Sequence, residues 1–555
     1  MNGGGFDPVE LGILWDRVVS IADEIVTALI ATSFSTMVRE SGDLSCMLFD
    51  ARGKSLAQGA YSVPSFTGTG PPTMGHMLRR FPPESLRPGD VLITNDPWMG
   101  SGHLYDINVM RPVFHRDRLV AFTLSVTHLP DIGGAGYATT ASDMFEEGLW
   151  LPICKLMRQG CLNDELMEII MGNVRLPDMV RGDIMANITC NEVGGRLIGE
   201  MMEECGLDDL ALLSDQIIAT TERAMRERLR EMPSGTYRNS IDVEGIDSPV
   251  RFAVAATLGD GGIHFDFAGT DPTVNRGINV PLCYTRAFCN YAVKVLTIPE
   301  LPNNEGAARP ISLRAPAGCL LNAQRPAPTG GRHVMGHFVA PLVFGALAQA
   351  IPGAVQADSG MMSQLNFTGR HRHGQPIASL FFASGGFGAL AGTDGRDACP
   401  GPSNMIGTPI EVWESETSMS VLHKELIADS GGPGASRGGN GQRIALRNDT
   451  GNPLAVACFA ARDRFPPLGV DGGKPGGLRR LLLNGEAIQP KGRYTLAPGD
   501  IIATNEAGGG GAGDPRQREV ELVLADVRAG LVTREAARRD YGVEVDLETG
   551  RAWRP

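Results

Sequence analysis

Apolar residues recur at helical spacing from Pro8 to Ser33, at Leu11, Leu14, Trp15, Val18, Ile21, Ile25, Ala28 and Leu29. This is the stripe of an amphipathic helix, and Asp7-Pro8 is a suitable start because Pro is tolerated in a first turn. The period then shortens. Leu44–Asp50 and Lys54–Gln58 flank the turn Ala51-Arg52-Gly53 and predict a strand pair. Gln58 to Pro72, rich in Gly, Pro, Ser and Thr, predicts a loop; Thr73–Arg80 predicts a short helix and Val91–Thr94 a buried strand. Two apolar runs, Ile107–Phe114 and Leu119–Val126, flank His115-Arg116-Asp117-Arg118 and predict a β-hairpin. A turn centred on Arg116-Asp117 pairs Asp106 with Thr127 and Tyr105 with His128.

Helical periodicity returns in Glu165–Met171, Asp183–Glu203 and Asp208–Met232. From Gly235 the pattern alternates, in Thr236–Arg238, Val250–Ala255 and Ile263–Phe267, as antiparallel sheet does. Helices are predicted at Tyr284–Leu296 and from Gly336-His337 through Ala348. Gly360–Gly441 reads as glycine-punctuated strand and loop, Gln442 to about Arg518 as a small β region, and Val520–Tyr541 as an apolar run with a helical tail. The fold class is α+β and multidomain, divided as 1–163 (N-terminal α+β with the antiparallel hairpin), 164–232 (helical), 233–441 (central α+β) and 442–555 (small β with helical tail).

The 555 residues are 42% hydrophobic and 20% charged, with a net charge of −13. Such a chain buries a large core, and the negative balance argues against a nucleic-acid surface, whose mark is a basic patch. No run of 18 apolar residues predicts a membrane span, and Met1 to Gly5 lacks the charged and apolar regions of a signal peptide. The ten cysteines are scattered without a C-x-x-C pair, the pattern of reduced thiols in the cytoplasm.

Two His-x-x-Asp pairs, His103/Asp106 and His128/Asp131, lie at the same end of the hairpin. Two imidazoles and two carboxylates brought together there suit a divalent cation, Zn, Mn or Fe. The alternative is a strand end whose polar side chains bond one another. Asp43, alone, reads as a turn or cap residue. Gly330-Gly331-Arg332-His333 precedes a helix, so Arg332 and His333 are candidates for holding an anion, or else a polar cap. Gly53-Lys54-Ser55 has Leu48 where a phosphate loop needs its first Gly. Gly508 to Gly513 lacks the strand–helix context of a nucleotide fingerprint and reads as closely approaching backbone. His371-Arg372-His373 reads as an exposed turn.

Ordered motifs across nearly the whole chain resemble the hydantoinase B/oxoprolinase family, the B-type subunits of ATP-dependent N-methylhydantoinases. They include Asp7-Pro8-Val9-Glu10, Asp43-Leu44-Ser45-Cys46, Asn95-Asp96-Pro97, His128-Leu129-Pro130-Asp131-Ile132-Gly133-Gly134, Gly331 to His337 and Gly472-Gly473-Lys474-Pro475-Gly476. The resemblance implies a metal-bearing subunit of a cyclic-amide hydrolase. Its A-type partner, an actin-like ATPase, would phosphorylate the substrate in a heterotetramer or larger complex. ATP would then act through the partner, in keeping with the missing phosphate loop. Acetone and acetophenone carboxylase subunits are related, and a non-catalytic assembly subunit is a further alternative. Carried over by position, the metal ligands (Zn or Mn) are Asp43, His103, Asp106 and His128. Asp131 would orient His128, and Asp106 or Asp131 would accept a proton from water. Tyr105 and Leu129 depart from the pattern of many relatives and are expected at the rim of the site.

Overall fold

The computed structural model describes residues 5–555. Met1 to Gly4, which bear on the expected absence of a leader, lie outside the described residues. No described helix is long and apolar enough to cross a membrane.

The first helix spans Pro8–Thr32, and the Asp7 carboxylate accepts the free N–H groups of Val9 and Glu10. Of its predicted stripe, Leu14, Val18, Ile21, Ile25 and Leu29 are buried. With the helix Pro177–Glu204 it covers one face of a seven-stranded antiparallel sheet. The strand order is Ser55–Gln58, Leu44–Asp50, Arg118–His128, Asp106–His115, Val91–Thr94, Cys154–Arg158, Cys161–Leu162. The other face sends Met47, Phe49, Phe122 and Leu124 into the main core beside Met74 and Phe288. With both faces covered, Leu44–Asp50 is buried at every position, which is why it reads as a run without alternation. The predicted loop Gln58–Pro72 contains a helical turn, Pro64–Thr67, and the next helix begins at Gly70. In both cases proline in the first turn starts the helix rather than ending one.

The central hairpin forms, but not in the expected register. Arg116 and Asp117 both take positive φ (48° and 62°), the two-residue turn that matches strand twist. Phe114 then pairs with Leu119, and Val113 with Ala121, leaving Val120 as a bulge. Beyond the bulge every pair is offset by one, so Asp106 lies opposite His128 and Ile107 opposite Thr127. A one-residue offset moves side chains to the other face. Here it sets the carboxylate and the imidazole side by side.

The second sheet runs Gly235–Glu244, Pro249–Gly259, Gly262–Asp266, and adds Ile311–Arg314 in parallel at its edge. The middle strand alternates buried and exposed residues. Its inner face meets the helix Val339–Leu347, which in turn packs on Leu282–Thr297. The boundary expected at 441/442 runs through two further sheets. Met362–Arg370 pairs with Leu454–Phe459, and Ser420–Leu426 with Gln442–Arg447. These sheets close over Phe367, Phe381, Trp413, Ile444 and Ile502. The helical segment 164–232 likewise shares its core with the N-terminal sheet.

Gly508 to Gly511 thread between other backbones. A Cβ at Gly508 would lie 1.7 Å from the Ser430 carbonyl oxygen, and one at Gly509 2.1 Å from that of Phe387. The cluster is therefore a close-packed backbone crossing. His371 and His373 sit in a turn between strands. Past Arg518 the apolar run is itself the helix Val520–Arg528, and a small strand pair, Glu544–Asp546 with Arg551–Trp553, closes the chain.

Candidate metal centre

Three elements converge at the hairpin's open end. Asp106 begins one strand and His128 ends its partner. Asp43 precedes the neighbouring strand, and its carbonyl accepts the His128 N–H at 3.3 Å. His103 reaches in from the turn before Asp106. Among the described residues, His103, Asp106 and His128 are a buried trio whose donor atoms lie within 4.8 Å of one another. The His103 Nε2 is 2.7 Å from Asp106 Oδ1, and His128 Nδ1 is 3.3 Å from the same oxygen. Asp43 stands one step out, its Oδ2 3.7 Å from His128 Nδ1, without a side-chain hydrogen bond.

The donor set fits a cation for a specific reason. His103 Nδ1 faces the Gly330 carbonyl oxygen at 3.0 Å. That oxygen can only accept, so Nδ1 holds the proton and Nε2 presents a lone pair. The lone pair meets a carboxylate oxygen, another acceptor, and neither buried atom has a hydrogen-bond partner. Two acceptors at 2.7 Å repel unless a positive charge lies with them. A second proton on His103 is disfavoured, since burial and then the Arg332 guanidinium lower its pKa to about 4. Two imidazole nitrogens with carboxylate oxygens would suit Zn, Mn or Fe.

The remaining sequence candidates fall differently. Arg332 is not free for an anion. It donates to Asp106 Oδ2 and, from Nε, to the Ser101 carbonyl at 2.7 Å, and it lies 4.4 Å from the Tyr284 ring centroid. Burial alone would raise the Asp106 pKa, but the Arg332 guanidinium, donating to its Oδ2, opposes this and holds the carboxyl below the usual range. That makes Asp106 a poor proton acceptor. Asp131 does not reach His128. Pro130 and the turn at Gly133 carry it away, and its carboxylate accepts the Gly133 N–H and pairs with Arg175 at 2.7 Å. Burial raises Asp43 to about 6, with Asp106 adding to the effect and His128 and Arg332 opposing it. Asp43 is thus the carboxylate best placed to take a proton.

A cavity of about 30 Å³ opens on this cluster, lined by Asp43, His103, His128, Tyr137, Arg332 and His333, among others. It holds one water or ion, not a ring. His333 faces it with an unpartnered Nε2. Burial, and then His337 and Arg332, keep His333 neutral. Tyr105 is not at the rim. It stacks behind His128, centroids 5.4 Å apart and planes at 17°, and does not line the cavity. Leu129 is likewise buried and off the wall.

Sequence reasoning missed Tyr137, Gln364 and Glu147. The Tyr137 ring lies 5.2 Å from that of His128, and its hydroxyl reaches His333 Nδ1 at 3.3 Å and Gln364 Oε1 at 3.2 Å. Glu147 Oε1 accepts the N–H groups of Thr329 and Gly330 at 2.7 and 2.6 Å, holding the turn whose carbonyl fixes His103. A lone aromatic in a glycine-rich loop near His128 was the available signal for Tyr137; Glu147 carried none.

Comparison with known proteins places this arrangement. The chain is 31% identical over 568 residues to the caprolactamase subunit beta of Pseudomonas jessenii, covering 97% of this chain and 96% of that one. It superposes on the crystal structure of the ATP-dependent caprolactamase from that organism with TM-score 0.89 and 28% identity, covering 98% of both chains. It is 29% identical to 5-oxoprolinase 1 of Arabidopsis thaliana, over 91% of this chain but only 42% of the plant chain. The family model described as hydantoinase B/oxoprolinase matches residues 7–515, and the chain belongs to the hydantoinase B/oxoprolinase family.

Proposed function

We propose that this chain is the metal-bearing subunit of an ATP-dependent cyclic-amide hydrolase, working with a separate ATPase subunit that phosphorylates the substrate. The observation that carries the reading is the buried pair of opposed lone pairs, His103 Nε2 and Asp106 Oδ1, in a chain similar end to end to a caprolactamase subunit. His103, Asp106 and His128 would hold the ion, with Asp43 beside them on the cavity wall. A divalent ion bound there would polarise the amide and lower the pKa of a water toward neutrality.

The chain's own residues supply the rest. The Gly330 carbonyl fixes His103 in the tautomer with Nε2 free. Arg332 keeps Asp106 ionised and oriented. Asp43, unbonded on the cavity wall, accepts the proton of the attacking water. Tyr137, donating to Gln364 Oε1 and within reach of His333 Nδ1, holds these side chains in place on the cavity wall. The small cavity excludes bulk water from an activated amide, and its wall must shift to admit a ring. That the plant relative spans more than twice the matched length supports a partner chain here.

The test is co-purification with an ATPase-type partner, followed by assay on caprolactam, hydantoin and 5-oxoproline. Ring-opened product should require ATP and both chains. His103→Ala and His128→Ala should lose the metal and at least a hundredfold of turnover. Retention of both by either variant overturns the reading, and a bicarbonate-dependent gain of product mass would replace it with a carboxylase.

A further inference from the structure

Away from the metal centre, a cavity of about 520 Å³ lies between the end of the strand Gly235–Glu244 and the turn Gln489–Tyr494. Its wall carries two buried charged side chains, each with a polar atom that has no hydrogen-bond partner. Glu244 is fully buried, and its Oε1 accepts the N–H groups of Arg464 and Phe465 at 2.9 and 2.8 Å, while Oε2 has no partner. Lys491 is 8% exposed, and its Nζ has none either. Both residues line this cavity, and no ion pair joins them. A buried donor and a buried acceptor left without partners are costly, and their presence on one cavity wall points to a ligand that meets both.

The sign pattern narrows the ligand. Lys491, Arg464 and Arg493 would repel a simple cation. Glu244 and Asp247, with Asp463 behind them, would repel a simple anion. We propose that this cavity is a second small-molecule site for a compact zwitterion of the α-amino-acid class, its carboxylate on Lys491 and its ammonium on Glu244. The volume leaves room for a side chain. Burial lowers Lys491 to about 8, with Glu244 and Asp463 opposing, so its ammonium is present at neutral pH and binding weakens above pH 8.

The site also touches the metal centre's loop. Thr139 Oγ1 donates to the Lys491 carbonyl at 2.8 Å, and Arg493 Nη1 to the Ala135 carbonyl at 2.9 Å. Tyr137 lies between those two anchors. A ligand that orders the turn 489–494 therefore stiffens residues 135–139.

Calorimetric titration of the full chain at pH 7 with L-alanine, L-glutamate and L-phenylalanine tests this, with N-acetyl-L-alanine and L-alaninamide as single-charge controls. At least one amino acid should bind saturably, and the controls at least tenfold more weakly. Lys491→Met and Glu244→Gln should each lose at least tenfold in affinity. Arg493→Ala, an exposed position, serves if either variant fails to fold. Hydrogen exchange should slow at 135–139 and 489–494 on binding. Absence of saturable binding by all three amino acids, equal binding of a control, or unchanged affinity in a folded Lys491→Met would overturn the proposal and leave the cavity to water. No readout depends on turnover, so failure here and failure of the hydrolase reading are separable.

Discussion

Replacing Glu147 by Gln isolates one charge beneath the metal centre. Glu147 is buried, and burial pushes its carboxyl from 4.5 up to about 8; the Gly330 and Thr329 N–H groups oppose the rise and Asp143 adds to it. The folded protein therefore keeps a proton that the unfolded chain releases above pH 4.5. The unfolded state binds fewer protons through this window, so stability falls as pH rises from about 4.5 to 8 and levels off beyond. At about 1.4 kcal/mol per pH unit below the folded pKa, the wild type loses roughly 2–3 kcal/mol between pH 6 and pH 9 through this group. Gln retains an oxygen for Thr329 and Gly330 but carries no titratable proton. It leaves a buried amide N–H unmet, a pH-independent cost of about 1–3 kcal/mol. The variant should thus be the less stable protein at pH 6 and gain on the wild type with rising pH. Urea midpoints for both proteins at pH 6, 7.5 and 9 measure the gap. Parallel pH profiles would show that Glu147 is ionised in the fold and would refute the reasoning.

Arg332→Met should lower stability by about 3–5 kcal/mol, because it leaves the Asp106 carboxylate buried without its guanidinium; Arg332→Lys should recover only part, since a single nitrogen does not reproduce the two separate donor positions, Nε on Ser101 and Nη2 on Asp106. An unchanged denaturation midpoint would contradict the pairing. Asp131→Asn should leave metal content within a factor of two by elemental analysis while loosening the Arg175 contact; loss of metal would restore Asp131 to the ligand shell. Gly509→Ala should prevent folding to soluble protein, because its Cβ would meet the Phe387 carbonyl at 2.1 Å. Gly499→Ala, with φ near +89° and open space around it, should cost only about 1 kcal/mol of backbone strain. Similar solubility and melting for the two would remove the backbone-crossing account of the C-terminal glycines.

What the sequence made legible was local. The first helix, the strand pair and the hairpin each follow from a periodicity within a few residues, and the His-x-x-Asp spacing placed His103 beside Asp106. The bulge at Val120 was not legible. Nothing in Leu119–Val126 marks an extra residue, yet it decides that His128 faces Asp106 rather than lying opposite Tyr105. Asp131 was misplaced for a related reason: identical spacing in two motifs hides different backbone, and Pro130 with the Gly133 turn carries the second carboxylate to Arg175. Arg332 was found, but its partner Asp106 lies 226 positions away, so the sequence left it open between an anion site and a polar cap.

The same long range bears on where the centre belongs. Its candidate ligands lie in the first 128 residues, which suggests the property of an N-terminal domain. Its walls do not. Tyr284 and Arg332 come from the central region, Met362, Gln364 and Met405 from the glycine-rich strands and loop. Tyr137 is held from behind by Phe459, their rings stacked at 4.3 Å. The carbonyl that sets the His103 tautomer is supplied by Gly330, and that turn is gripped by Glu147. An isolated segment 1–163 would retain Asp43, His103, Asp106 and His128 but lose the Gly330 carbonyl and the Arg332 guanidinium. His103 would be free to change tautomer, and Asp106 would lose its strongest hydrogen-bond donor. The poise of the candidate donors is therefore a property of the whole folded chain, because the groups that fix His103 and Asp106 come from residues more than 200 positions further along.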